Sequence, residues 1–123
     1  MPGSRLVLVV EDDADFREAL VSALEHAGYE VIAAVNGAAA LQLLQWRIMP
    51  SVVLLDLMMP VMDGRTFRRH QLADPNLAAI PVVVLSADAG AADLVSSPGV
   101  EAVLPKPVDL EALLRVLDGL CPG

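Results

Sequence analysis

A regular alternation of short apolar runs with segments of helical periodicity limits the fold more than any other feature of this sequence. The first run, Leu6 to Val10, is continuously apolar and rich in β-branched residues, which predicts a strand covered on both faces of a parallel sheet. Apolar residues then recur at helical spacing from Ala14 to Ala27, and Gly28 stands where a C-terminal cap belongs. This first unit therefore predicts a strand followed by a helix.

Four more units of the same kind follow along the chain. The strands are predicted at Tyr29 to Ala34, Val52 to Leu55, Val82 to Leu85 and Ala102 to Leu104, and the helices at Ala38 to Gln45, Phe67 to Leu72 and Leu110 to Leu120. Asp109 is placed to cap the last helix. Three Gly or Pro residues in the segment 87–99 leave room for only a short or irregular helix there. Because parallel strands need crossover connections, the pattern predicts an α/β fold, a doubly wound five-stranded parallel sheet with helices on both faces.

Length and charge exclude several classes of function. A chain of 123 residues is expected to form a single domain, residues 1–123, with its core at about 5–120. The net charge of −8 is opposite to the basic surface of nucleic-acid-binding proteins, so no direct nucleic-acid contact is expected. The apolar runs are too short to cross a bilayer, and the single cysteine gives no sign of an oxidising compartment. We therefore expect a cytoplasmic protein without membrane contact.

Polar and charged residues follow the predicted strands at the point where each strand ends. They are Glu11, Asp12 and Asp13 after the first strand, Asp56 after the third, Ser86 after the fourth and Lys106 after the fifth. Ligands of open doubly wound sheets bind outside the carboxyl ends of the strands, at the topological switch point. If the first and third strands are neighbours, the carboxylates of Glu11 or Asp12 and of Asp56 converge at that edge. Asp13 is the exception, because its predicted role is to cap the first helix.

Crowded carboxylates at one edge of a sheet predict a hard divalent cation, since a cation relieves their mutual repulsion. Magnesium prefers oxygen ligands and is commonly held by one or two carboxylates plus a phosphate oxygen. A carboxylate can also act as a nucleophile and form an acyl phosphate. The cation would neutralise an incoming phosphoryl group, while the ammonium of Lys106 and the hydroxyl of Ser86 would hold its remaining oxygens. The residues thus predict a site in which Asp56 accepts a phosphoryl group.

Nearly the whole chain resembles the receiver domains of bacterial two-component response regulators. The motifs that carry the resemblance are Leu8-Val9-Val10-Glu11-Asp12-Asp13, Leu55-Asp56-Leu57-Met58-Met59-Pro60 with Met62-Asp63-Gly64, Leu85-Ser86-Ala87 and Leu104-Pro105-Lys106-Pro107. The resemblance implies a flavodoxin-like (βα)5 fold with strand order 2-1-3-4-5. It also implies that a sensor histidine kinase, a histidine phosphotransfer protein or a small acyl phosphate phosphorylates Asp56, and that this phosphorelay step switches contacts with a downstream protein. Such a domain promotes only its own phosphorylation and dephosphorylation and is not otherwise an enzyme.

The resemblance further implies a set of metal contacts. Asp12, Asp56 and the backbone carbonyl of Met58 would contact Mg²⁺ or Mn²⁺. Glu11 would act on the same ion through water, because a Glu stands here where many receivers carry a shorter Asp.

The switch residues both match the family pattern and depart from it. Ser86 and Lys106 would bind the phosphoryl group, and the Lys106–Pro107 peptide bond is expected to be cis. Val103, however, occupies the position three residues before the lysine where receivers usually carry Tyr or Phe, and Val108 replaces a common Phe. We hypothesise that the phosphorylation chemistry is intact, whereas its conformational readout on the fourth helical segment, the fifth strand and the last helix is weakened or rerouted.

Three other functions are consistent with parts of the sequence. A small phosphatase or phosphotransferase would use Asp56 as nucleophile, but Met58 stands where a general acid would be expected. A pseudo-receiver would serve only protein contacts, against which the complete acid cluster argues. A flavin or nucleotide module would need a Gly-rich phosphate loop after the first strand, where acids stand instead. The domain is either a stand-alone receiver or one taken from a larger kinase or regulator.

Overall fold

The strand order of the sheet brings the first and third strands side by side. The computed structural model describes residues 5–121. Its five strands are all parallel and follow the order β2-β1-β3-β4-β5. They are β1 (Leu6–Val10), β2 (Glu30–Ala34), β3 (Val52–Asp56), β4 (Val82–Ser86) and β5 (Val100–Pro105). The predicted fold class and strand order are therefore confirmed, whereas the predicted domain limits at 1 and 123 lie outside the described residues.

In residues 5–121, three α-helices and one 3₁₀ segment connect the strands, and a fourth α-helix follows β5. The helices are α1 (Ala14–His26), α2 (Gly37–Gln45), α3 (Gly64–Ala73) and α4 (Leu110–Leu120), and the 3₁₀ segment is Ala89–Ser96. The irregular helix predicted between the fourth and fifth strands is thus confirmed. Strand β5 is longer than predicted, because its pairing with β4 begins where Val100 lies beside Val82.

The sheet separates two hydrophobic cores. Along β1, Val7 and Val9 face the core under α1 and α4, whereas Leu8 and Val10 face the core under α2, α3 and the 3₁₀ segment. All four side chains are at most 1% exposed. This two-sided burial is the physical reason that the strand is apolar at every position rather than at alternate ones.

Side-chain caps begin the helices where the sequence predicts them. The carboxylate of Asp13 accepts hydrogen bonds from the backbone N–H groups of Asp15 and Phe16 at the start of α1. Asp109 caps α4 in the same way. Gly28 follows the end of α1 with φ of +99°, a left-handed conformation that glycine adopts without strain. Both predicted N-terminal caps are confirmed.

A buried arginine anchors the chain between the 3₁₀ segment and β5. Arg68 of α3 is 4% exposed, and its guanidinium donates to Gln71 Oε1 at 2.6 Å, to Ser97 Oγ at 3.2 Å and to the carbonyl of Pro98. The amide of Gln71 in turn donates to the carbonyl of Ile80 at 3.0 Å. Hydrogen bonds to a charged donor therefore hold this segment against α3.

Within residues 5–121, no helix has the length and apolar character needed to cross a membrane.

Candidate functional site

The register of the sheet lines up the polar residues that follow its strands. Val10 of β1 pairs with Leu55 of β3, so Glu11 and Asp56 are each the next residue along. Asp56 pairs with Leu85 of β4, which places Ser86 one residue further at the same edge. Because parallel strands all point the same way, their carboxyl ends meet along one edge of the sheet.

The carboxylates of Glu11, Asp12 and Asp56 form a compact cluster at this edge. Each offers an oxygen within 4.8 Å of the oxygens of the other two. Glu11 and Asp56 are 2% and 3% exposed, whereas Asp12 is open to solvent. Three carboxylate oxygens with one side open to water are a suitable donor set for a hard divalent cation that retains part of its hydration shell. The cluster can hold such a metal ion.

Lys106 brings a positive charge into this cluster from the end of β5. Its Nζ lies 2.8 Å from Oε1 of Glu11 and 3.3 Å from Oδ1 of Asp56. Burial opposes the charge of the ammonium, but the hydrogen bond to Glu11 and the charge of Asp56 outweigh burial and raise the pKa of Lys106. The cation therefore remains charged beside the two carboxylates.

Glu11 uses both carboxylate oxygens in hydrogen bonds within the protein. Oε1 accepts from Lys106 Nζ, and Oε2 accepts from the backbone N–H of Asp13 at 3.0 Å. Burial raises the pKa of Glu11, and these two hydrogen bonds partly offset that effect. The carboxylate of Asp12 is consequently more accessible to a metal ion than that of Glu11.

Ser86 lies at the same edge and is 4% exposed. Its Oγ accepts the backbone N–H of Asp88 at 3.0 Å, and its carbonyl accepts the backbone N–H of Lys106 at 3.1 Å. A serine hydroxyl that accepts one hydrogen bond retains its own hydrogen to donate. Ser86 therefore keeps a hydroxyl donor at the edge of the sheet that carries Asp56.

The loop after β3 packs tightly against Asp56. The N–H of Met58 approaches Oδ1 of Asp56 at 3.4 Å, and the N–H of Gly64 donates to the carbonyl of Leu57 at 3.0 Å. A methyl group added at Gly64 would lie only 2.7 Å from the carbonyl oxygen of Asp56. Asp63 meanwhile caps α3 by accepting the N–H of Thr66. The Asp-Gly pair thus starts a helix in direct contact with the strand that carries Asp56.

Two residues of α1 belong to the site although the sequence analysis did not select them. The ring of Phe16 lies under the Lys106 ammonium, with 4.7 Å between Nζ and the ring centroid. The guanidinium of Arg17 donates to the backbone carbonyls of Glu11 and Asp12 at 3.0 and 3.3 Å. Their place in the first turn after the acidic residues is the sequence signal that could have identified them.

The structure also describes the predicted cis peptide bond and the altered switch position. The Lys106–Pro107 peptide bond is cis, as the resemblance implied. Val103 is partly buried, pairs with Val84 and packs against the core under α3. The structure thus places the carboxylate oxygens of Glu11, Asp12 and Asp56 within 4.8 Å of one another and Lys106 Nζ within 3.3 Å of two of them, while the chemical roles of all these residues stay predictions.

The comparison with known families and solved structures agrees with this geometry. The family model of the response regulator receiver domain matches residues 7–118. A solved response regulator receiver protein from Pseudomonas putida is 34% identical, superposes with a TM-score of 0.84, and the match covers 93% of this chain and 95% of that one.

Two curated relatives differ in how much of their own length this chain matches. It is 32% identical over 119 residues to the protein PilH of Pseudomonas aeruginosa, covering 95% of this chain and 98% of PilH. It is 34% identical over 110 residues to the DNA-binding dual master transcriptional regulator RpaA of Synechocystis sp., covering 88% of this chain but only 45% of RpaA. The similarity therefore extends over nearly all of one relative and less than half of the other.

Proposed function

Since this chain belongs to the response regulator receiver domain family, we propose that Asp56 accepts a phosphoryl group in a Mg²⁺-dependent reaction. The observation that carries the proposal is the contact of 3.3 Å between Lys106 Nζ and Asp56 Oδ1, inside a cluster whose carboxylate oxygens lie within 4.8 Å of one another. A nucleophilic carboxylate, a metal-binding acid pair and a fixed cation are the parts that phosphoryl transfer needs.

In the proposed step, a carboxylate oxygen of Asp56 attacks the phosphorus of the donor. A new O–P bond forms, the bond from phosphorus to the leaving group breaks, and the leaving group keeps the electron pair. Lys106 and the hydroxyl of Ser86 donate to the phosphoryl oxygens, which spread the negative charge of the transition state. A bound Mg²⁺ would supply the remaining charge neutralisation. The product is an acyl phosphate on the buried side chain at the end of β3.

The proposed metal ligands are the carboxylates of Asp12 and Asp56 and the backbone carbonyl of Met58. Glu11 would contact the ion, which is Mg²⁺ or Mn²⁺, through water. Both Glu11 oxygens already accept hydrogen bonds, one from Lys106 and one from the Asp13 backbone, which supports a contact of Glu11 with the ion through water and not a direct one. Asp12, which is exposed, is the better placed of the two neighbouring acids to exchange water for metal.

Receiver domains are signalling modules rather than classical enzymes, and we propose that this one takes its phosphoryl group from a sensor histidine kinase or a histidine phosphotransfer protein. Phosphorylation would change its contacts with a downstream protein. RpaA is a DNA-binding regulator by name, and this chain matches 45% of its length. The acidic charge of −8 supports an output through protein contacts rather than direct nucleic-acid binding by this domain.

Intact-mass analysis after incubation with acetyl phosphate and Mg²⁺ tests the proposal. We expect one phosphoryl adduct on the wild-type protein, none on Asp56→Asn and none when a chelator removes Mg²⁺. Asp63→Asn is the matched control, because the amide oxygen can still cap α3 and the residue lies outside the cluster. An adduct that survives in Asp56→Asn would rule out Asp56 as acceptor. A wild-type protein that neither forms an adduct nor binds Mg²⁺ would favour the pseudo-receiver alternative.

A further inference from the structure

The contact between Phe16 and Lys106 assigns a role to a residue that the phosphoacceptor chemistry itself does not require. We infer that Phe16 is a positioning residue, whose ring holds the Lys106 ammonium in place for phosphoryl transfer to Asp56. This inference rests on the proposed function, because the step it assists is the transfer to Asp56.

The surroundings of the ammonium explain why a ring is useful there. Lysine carries its charge on a flexible four-carbon stem, and the side chain of Lys106 is 23% exposed, so the charge needs to be held in place. Nζ contacts Glu11 at 2.8 Å and Asp56 at 3.3 Å, while the face of Phe16 lies 4.7 Å away. A cation within about 6 Å of a ring centroid is attracted by the negative face of the ring. The ring therefore restrains the ammonium on a side that water would otherwise occupy.

Phe16 is itself held by the turn that carries the acidic residues. Its backbone N–H donates to the Asp13 carboxylate at 3.2 Å. The neighbouring Arg17 donates to the carbonyls of Glu11 and Asp12. The backbone that carries the ring is therefore hydrogen-bonded to the turn that carries the acid pair, which fixes the point from which the ring extends relative to the carboxylates.

A ring also suits a lysine that must change its partner. When a phosphoryl group is attached to Asp56, the ammonium has to donate to phosphoryl oxygens instead of to the free carboxylate. An aromatic face attracts the cation but offers no carboxylate or hydroxyl oxygen that would compete for its hydrogens. Phe16 can therefore restrain Lys106 without drawing it away from the transferred group.

The competing explanation is that Phe16 only fills space. Its ring also lines an apolar groove with Leu20 of α1 and with Val108 and Leu110 near the start of α4. A side chain that served only this groove would be replaceable by leucine, which supplies similar apolar bulk without an aromatic face. The two explanations therefore predict different results for Phe16→Leu and Phe16→Tyr.

Phosphorylation kinetics provide the first test. With acetyl phosphate and Mg²⁺, we expect Phe16→Leu to lower the rate constant of adduct formation by about three- to tenfold, the range that a partly exposed cation–π contact supports. Phe16→Tyr should keep the wild-type rate constant, because it keeps the ring. Val21→Ala is the control, since it removes apolar volume from the same helix and the same core without touching Lys106. It should leave the rate constant unchanged.

Nuclear magnetic resonance provides a second readout that needs no phosphorylation. The ring should shift the ε-methylene protons of Lys106 upfield in the wild type, in Phe16→Tyr and in Val21→Ala, and the shift should disappear in Phe16→Leu. A rate in Phe16→Leu equal to that of the wild type, or a Phe16→Tyr protein as slow as Phe16→Leu, would overturn the positioning role. If the wild type formed no phosphoryl adduct but still showed the ring shift, the proposed function would be wrong, whereas the contact between Phe16 and Lys106 would stand.

Discussion

Replacing Gly64 with alanine tests the contact between the start of α3 and the strand that carries Asp56. The added methyl carbon would lie 2.7 Å from the carbonyl oxygen of Asp56 and 2.8 Å from both Cα and Cδ2 of Leu57. Two of these three atoms belong to the backbone, so a side-chain rotation cannot relieve the overlap. The helix start or the end of β3 must move.

The size of the effect follows from two opposing contributions. Overpacking of a close-packed site costs about 1–3 kcal/mol. Exchange of glycine for alanine in a helix contributes at most about 0.5–1 kcal/mol in the other direction. We therefore expect Gly64→Ala to lower the free energy of unfolding by about 1–2 kcal/mol, equivalent to a fall of about 3–10 °C in Tm for a domain of this size. Phosphorylation of Asp56 should slow as well, because the displaced backbone carries its carboxylate.

Gly119→Ala is the matched control, since it makes the same chemical change inside α4. Among the described residues, an added methyl there meets nothing within 4 Å. Its expected effect is therefore a gain of about 0.5–1 kcal/mol. Urea unfolding of the two variants and the wild type measures both changes. If Gly64→Ala were as stable as the wild type, or were stabilised like Gly119→Ala, the close approach of α3 to Asp56 would be refuted.

Three further predictions concern other parts of the molecule. Burial and the hydrogen bond to Asp118 raise the pKa of Tyr29 to about 12 from an ordinary 10.0. The protonated tyrosine therefore stabilises the fold fully below pH 10, and this stabilisation is lost as the pH rises through about 12. The tyrosinate absorbance of this single tyrosine should follow that titration, and a midpoint near 10 would contradict the buried contact. Asp12→Asn should weaken Mg²⁺ binding by about tenfold or more with a stability change within about 0.5 kcal/mol, as calorimetric titration and urea unfolding would measure. A phosphoryl mimic should shift amide resonances around Asp56 but only weakly along β5 and α4, because Val103 lacks an aromatic ring; large shifts throughout that face would contradict the hypothesis of a weakened readout.

Local patterns were sufficient to predict the secondary structure and the polar residues at the carboxyl ends of the strands. Continuous apolar runs indicated strands buried on both faces, and β1 carries its alternate side chains into two cores accordingly. Asp13 and Asp109 indicated helix starts, because a cap depends only on the next few residues. These signals lie within a few positions along the chain, so they can be interpreted before anything is known about packing.

The buried Arg68 shows where such interpretation fails. An arginine within an amphipathic helix is ordinarily expected on the solvent face. Here it lies beneath the turn formed by Ser97 and Pro98, which stand 29 and 30 positions further along the chain, so the residues near Arg68 give no sign of the contact.

The amino-acid sequence alone determined the parallel α/β architecture, the family and the group of acids, serine and lysine at the strand ends, because apolar periodicity, caps and motifs are properties of neighbouring residues. Only the tertiary structure decided which atoms meet. Glu11 and Lys106 stand 95 positions apart, and their 2.8 Å contact, with the ring of Phe16 beneath the ammonium, depends on the strand order and on the path of each connection. Contacts of this kind arise from the packing of whole helices and strands, and the sequence of a short segment does not determine that packing.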